Sequence, residues 1–441
     1  MYKIIFFIFS ITLFNSCSFD NKTGIWTGSN KIAKKENNND QNLELIFKKK
    51  NNDVITKELS KDVKLNLKTP NSYSIWGQQY QNNFNNIGNL LFLNDGNYKK
   101  LLKISKVDVN DNILIYKNNL FFSDTKGNIG VFSLADNQVI YKYNFYKKKI
   151  RAKKEIKLIL KDDFIIAADN FGYVYSIDYK KKKLNWAKNF LVPFRSNLKI
   201  LNDILFLSDE KNKIILIDTR SGSKIDELYT QPSKAVSKFE SNIAIDKNNN
   251  LLFLSTNGSL YSLNLLNQKT INWIQNFKSE NEIIFNANPI RISKDKIMIS
   301  TNKNISLIND NGKRIWDLNI KSNIFPIISG NTIFTINEDN YLIFIDVVTG
   351  KIIFSKNLYS IMMQDFKKNF QKKIKKINHI SLVNNKLLLI SNNSYFIEVN
   401  LENIINISSI KKNPFVISSD IIYLENEMIF VSNSNRIYKV N

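Results

Sequence analysis

One cysteine and one histidine stand among 441 residues. A single cysteine excludes any disulfide within the chain, so stability has to come from buried apolar surface. A single histidine, His379, excludes a multi-histidine metal site and leaves a histidine-based triad no spare member. Its expected role is that of a capped or solvated residue beside a basic segment. Acidic residues are also short: 39 Asp and Glu face 63 Lys and Arg, for a formal net charge of +24. That balance alone would suggest nucleic acid or an anionic membrane as a partner. Yet the lysines are spread through turns, arginine is scarce, and Asn and Ile are inflated together with Lys. Drift toward A/T-rich codons explains this pattern, and no nucleic-acid partner is expected.

The amino-terminal apolar run, Ile4 to Phe14, is too short for the roughly 20 residues of a transmembrane helix. Preceded by Lys3, it suits the h-region of a secretory signal. With Ser16 before Cys17 it resembles a bacterial lipoprotein signal, although Phe14 and Asn15 depart from the usual pattern. The resemblance implies cleavage after residue 16 and diacylation of the Cys17 thiol. Residues 17–69 are polar and of low complexity (Lys34 to Asp40, Lys48 to Asp53), which predicts a flexible tether, with folded structure from Pro70 onward.

What the chain has in abundance is a repeated phrase. It reads Tyr173-Val174-Tyr175-Ser176-Ile177-Asp178, then Ile214 to Asp218, Leu260 to Asn264, Ile305 to Asn309 and Leu342 to Asp346, with fainter copies at Val131, Tyr395 and Ile437. Eight copies start at 131, 174, 214, 260, 305, 342, 395 and 437. A period of roughly 40–50 residues marks a stacked or circular array. Each unit holds short β-branched and aromatic runs separated by Asn-, Asp- and Gly-rich turns, the pattern of antiparallel hairpins. Most connections leave no room for a crossover helix, which argues against a parallel sheet. The predicted fold is all-β: an eight-bladed propeller of four-stranded antiparallel blades over residues 70–441.

Several copies end on an aromatic, Trp186, Trp273, Trp316 and Phe354, the last two after a Gly-containing turn. This phrase resembles the repeat of the pyrroloquinoline-quinone-type propellers, whose Trp docks against the next blade. It lacks the Gly-His and Trp-Asp pairs of WD40 units. Those quinoprotein-like rings serve both dehydrogenases and non-catalytic scaffolds. The dehydrogenases need a metal held by Glu, Asn and Asp, a catalytic Asp and often adjacent cysteines; the last are impossible here. Two EF-hand-like starts, at Asp108 and Asp246, lack Gly at the sixth position and Glu at the twelfth, so both read as turns. No cofactor is expected.

Signal, tether and eight-bladed ring together resemble the BamB family, lipoproteins of the β-barrel assembly machinery on the periplasmic face of the outer membrane. The resemblance implies a non-enzymatic scaffold that binds BamA POTRA domains and other machinery subunits, and assists unfolded outer membrane proteins. An orphan propeller lipoprotein with another envelope partner is the other alternative to a dehydrogenase. In the family the contact uses inter-blade loops with apolar residues beside an Arg. The matching stretch runs from Phe190 to Ser196, so Leu191, Phe194 and Arg195 are the implied contacts, either as an exposed apolar pair beside the Arg or as an ordinary inter-blade crossover with Phe194 buried; Glu240 is the implied acidic contact one blade later. A basic amphipathic helix is predicted over Met362 to Ile377, with Met362, Phe366, Phe370 and Ile374 as a stripe capping the ring.

Overall fold

In the computed structural model, described residues are 18–19, 26–27, 56–60, 64–92, 98–146, 151–232, 239–265, 270–279, 282–322, 324–402, 404–425 and 427–440. The signal segment 1–16 and Cys17 lie outside them. Residues 1–55 form a unit of their own, in which Ser18–Phe19 pairs with Trp26–Thr27.

The remaining unit is an eight-bladed propeller. Blades 1 to 4 begin with strands Leu114–Tyr116, Ile156–Lys161, Lys199–Leu201 and Asn242–Ile245. Blades 5 to 8 begin with Arg291–Ser293, Ile327–Ser329, Ile377–Val383 and Ile422–Leu424. Every copy of the repeated phrase is the third strand of its blade, for example Tyr173–Asp178 and Ser259–Asn264. Third strands are buried on both faces because each sheet packs between two neighbours. Fourth strands, such as Gln138–Asn144, alternate toward solvent and form the outer edge. First strands line the axis.

Turn chemistry explains the wealth of Asn and Asp. The turn between second and third strands opens in each blade on a short polar residue: Asp124, Asp169, Asp209, Ser255, Thr301, Asn337, Ser391 and Ser432. In blade 2, Asp169 Oδ1 accepts from the backbone N–H groups of Phe171 and Tyr173. Asp246, the second EF-hand-like start, caps Asn248 and Asn250 in the same way, so it is a turn.

The aromatic ending joins blades. A register shift between third and fourth strands, at Ser176/Ile177 in blade 2, turns the outer strand toward the next blade. Trp186 then donates its indole N–H to Thr219 O at 3.0 Å, Trp273 to Asp310 O at 2.8 Å and Trp316 to Val347 O at 2.9 Å. Each acceptor belongs to the following blade. Phe354, where the indole is absent, packs within its own blade, stacked on Phe344.

The ring is closed by mixed strands. Blade 8 takes its outer strand, Tyr98–Lys103, from near the amino terminus, where it pairs with Arg436–Val440. Ordered packing begins before Pro70. Lys57 pairs with Ser355 on the outer edge of blade 6, and Leu59, Leu65 and Leu67 pack on the core of blades 6 and 7. Residues 56–60 and 64–68, expected to be tether, thus carry contacts to the ring. Asn66 O passes so close to Gly330 (φ +59°) that a Cβ there would lie 1.6 Å from it.

The predicted helix over 362–377 is corrected in extent. The helix is Leu358–Phe366, capped by Asn357, whose side chain accepts from Tyr359 N, and ended by Lys367 in the left-handed conformation. After a bend at 367–368, residues 371–374 form a turn and bend, where Asn369 caps Gln371 N and diverts the backbone. The apolar stripe still faces inward: Met362 and Ile374 are buried, and Phe366 packs edge-on to Phe370.

Candidate functional site

In an antiparallel blade the turn between second and third strands and the loop leading to the next blade share one end. Isolated bridges tie them together repeatedly: Phe194 to Asp209, Ala287 to Thr301, Ser322 to Asn337 and Ile417 to Ser432. This loop face carries exposed large apolar side chains on three consecutive inter-blade loops. Leu191 is 84% exposed, Tyr229 73% and Ile283 86%.

Leu191 is propped outward by its backbone. Phe190 N–H donates to Gly172 O, Leu191 N–H donates to Asn189 Oδ1, and Leu191 itself has φ +64°. A leucine in that conformation costs roughly 1 kcal/mol or more, yet its side chain gains no burial. Gly172 (φ +84°) is required beneath it, since a Cβ would meet Val192 N and O at 2.9 Å. Phe194 is a correction to the exposed-pair reading. It is 6% exposed, bridges to Asp209 and packs edge-on against Phe190 at 5.6 Å. Arg195 is half-buried, with its N–H bonded to Ser208 O. Phe194→Ala will therefore lower stability by about 3–5 kcal/mol, readable as a shifted urea midpoint, rather than act at a docking surface.

Glu240 lies nearer the axis than the loop rim. Its Oε2 sits 3.1 Å from Lys157 Nζ, which also approaches Asp111 at 3.5 Å. Asp420, from the loop before blade 8, accepts from Gln79 Nε2 at 3.4 Å. Burial and the neighbouring Asp111 push the Asp420 carboxyl up to about 7, against the pull of Lys157. A carboxyl raised in the folded state binds its proton more tightly there than in the unfolded chain. Its contribution is greatest below the unfolded value and is lost as pH rises toward 7. Asp420→Asn will consequently melt above the parent at pH 8 and show a smaller or no gain at pH 5.

Sequence reasoning missed what fills the axis. Residues 76–90 run inside the ring and touch the first strand of blade after blade. Trp76 and Ile115 (blade 1) exchange both backbone bonds, at 2.8 and 2.9 Å. Leu160 N–H (blade 2) donates to Gly77 O, Ile245 N–H (blade 4) to Asn83 O and Ile292 N–H (blade 5) to Phe84 O. Lys199 Nζ (blade 3) donates to Asn82 O at 2.7 Å, and Asn89 and Leu90 pair with Leu382 and Val383 of blade 7. Lys199 is buried with carbonyls as partners, so burial pulls its ammonium well down from the usual range. Only the repeated main-chain bonding reveals this plug; an Asn-rich stretch with no apolar period gives no sequence signal for it.

Above the plug remains a cavity of about 350 Å³, lined by Trp76, Tyr80, Asn85, Arg291, Phe325, His379, Ser394, Asp420 and Tyr423 among others. His379 is enclosed there beside Tyr423, its Nε2 3.3 Å from the phenol oxygen. Burial and Arg291 pull its imidazole down to about 4, so it is neutral at pH 7. Among the described residues no group of three His, Cys, Asp or Glu side chains could hold a metal ion.

A model of the family described as outer membrane protein assembly factor BamB matches residues 125–356, just over half of the chain. No curated protein matches it in sequence. In three dimensions it is similar to BamB from Moraxella catarrhalis, with a TM-score of 0.58 at 10% identity over 78% of this chain and 98% of that one. It is also similar to quinohemoprotein alcohol dehydrogenase from Comamonas testosteroni, with a TM-score of 0.61 at 8% identity over 80% of this chain and 76% of that one. At such identities the structural likenesses establish the ring and nothing about its chemistry.

Proposed function

The chain belongs to the family of the outer membrane protein assembly factor BamB, and on that premise we propose that it is a non-catalytic scaffold of outer membrane β-barrel assembly. It is held on the periplasmic face of the outer membrane by lipid on Cys17, and its loop face binds the POTRA domains of BamA. The observation that carries this proposal is the row of exposed Leu191, Tyr229 and Ile283 on consecutive loops of one face. Scattered exposed apolar residues are ordinary; several on adjoining loops, one held in a strained backbone, suit a protein partner. Arg195 supplies charge beside that row, while Glu240, engaged by Lys157, would contribute at the mouth of the axis. The plugged axis favours this role over a dehydrogenase.

Purified protein lacking residues 1–17 should retain BamA POTRA domains on a column. Arg195→Glu should weaken that binding by more than about 1 kcal/mol, since a reversed charge at an interface acts on both affinity and on-rate. Unchanged binding would remove Arg195 from the contact, and quinone-dependent dye reduction by the same preparation would sink the scaffold role. The anchor is tested separately. Cys17→Ala should abolish labelling by radioactive palmitate and release the protein from the membrane pellet; persistent labelling contradicts it.

A further inference from the structure

We propose that the axial cavity is a binding site for a small organic carboxylate, held by the guanidinium of Arg291. The inference does not depend on the scaffold role.

Arg291 stands on the first strand of blade 5 and is 5% exposed. Its guanidinium carbon lies 3.6 Å from the centroid of the Phe325 ring, and Nη1 reaches Asn86 Oδ1 only at 3.4 Å. Nε has no partner at all. Among the described residues no carboxylate forms an ion pair with it, and burial pulls its pKa down to about 9 against the opposing effect of Tyr80. The side chain is therefore still a cation at neutral pH, enclosed and without a counterion. A buried charge in that condition costs several kcal/mol unless something compensates it.

Two further residues that line the same cavity, on other elements, each carry an unpartnered polar atom. Asn85 Oδ1 comes from the plug and Ser394 Oγ from blade 7; both side chains are fully buried, unbonded at those atoms, and line the cavity. Arg291 and Ser394 can donate, whereas Asn85 accepts at Oδ1. A guanidinium and a hydroxyl lining one cavity can both donate to a carboxylate. The remaining wall mixes apolar and aromatic groups, Trp76, Leu90, Phe325 and Tyr423, with His379 and the carboxyls of Asp111 and Asp420, of which Asp420 is held up near 7 and so is partly protonated at neutral pH. A space of about 350 Å³ that combines aromatic wall with polar side chains has the size and character of a small-molecule site. The ligand chemistry that satisfies these groups is one carboxylate on a compact apolar or aromatic body.

Phenylacetate is the probe, with phenylacetamide as its neutral isostere, added to protein lacking residues 1–17 at pH 7. Binding is followed by Trp fluorescence and by saturation-transfer NMR. Phenylacetate should bind saturably and at least about tenfold tighter than the amide, because a charge-assisted pair is at stake. Arg291→Met should remove at least about tenfold of the carboxylate affinity and leave amide binding and the circular dichroism spectrum unchanged. Ser394→Ala, a milder change that keeps the test open should Arg291→Met fail to fold, should weaken phenylacetate about threefold. Equal affinity for acid and amide, full affinity in either variant, or no saturable binding of phenylacetate or hexanoate up to about 10 mM overturns the proposal and leaves a water-filled cavity.

Discussion

Deleting residues 1–103 will abolish cooperative folding of the ring, whereas deleting residues 1–55 will leave its melting temperature within about 2 °C of the parent. The first deletion removes two things at once. Blade 8 loses its outer strand, Tyr98–Lys103, and with it the closure of the circle. The axis loses Trp76, Leu90 and Phe92, each no more than 2% exposed. Losing each such side chain costs about 3–5 kcal/mol by comparison with truncation to alanine. Three together match the whole stability of an ordinary domain, about 5–15 kcal/mol. Backbone groups on blades 1, 2, 4 and 5 would also be left without the partners that Trp76, Gly77, Asn83 and Phe84 supply. The shorter deletion stops before Lys57, the first residue bridged to blade 6. A single sharp thermal transition in the 1–103 deletion would show that the plug is dispensable.

The second large effect concerns the seam between blades 4 and 5. Gly312→Val should destabilise the protein by about 3 kcal/mol or more. Gly312 has φ +78°, and a Cβ there would lie 2.5 Å from the Trp273 ring. A β-branched residue meets both penalties, backbone and ring. Trp273→Ala alone should cost about 3–5 kcal/mol, since the half-buried indole also loses its bond to Asp310 O. The double substitution should cost clearly less than the sum, because removing the ring removes the clash and leaves only the backbone strain. Full additivity in urea titrations would mean that the indole does not rest on Gly312. Gly222 and Gly350 hold the same relation to Trp186 and Trp316, so each seam is an independent repetition.

Much of the ring was legible because its instructions recur. Third strands were readable from the phrase at Tyr173 and its copies, since burial on both faces forces an apolar run with a polar end. The docking role of Trp186, Trp273 and Trp316 was implied by the resemblance of their strand endings to the quinoprotein-type repeat. What escaped was whatever occurs once. The plug at residues 76–90 is held by main-chain bonds and asparagine amides, which any polar sequence could provide. The helix was placed by its i+4 stripe, but Phe370 and Ile374 reach the core from turns, and periodicity cannot distinguish the two. At the candidate docking loop, Leu191 and Phe194 are both apolar in sequence. Only the bridge from Phe194 to Asp209 decides which of them points inward.

Two exposed apolar residues on opposite faces offer the most direct test of the scaffold role. Leu191 lies on the inter-blade-loop face, and Val348, 67% exposed, lies in a turn between third and fourth strands at the other end of its blade. A photoreactive amino acid placed at each position in the native host should report what each face touches. The account predicts a cross-link to BamA from position 191 and none from position 348. Cross-linking from 348 alone, or from neither position, would contradict it.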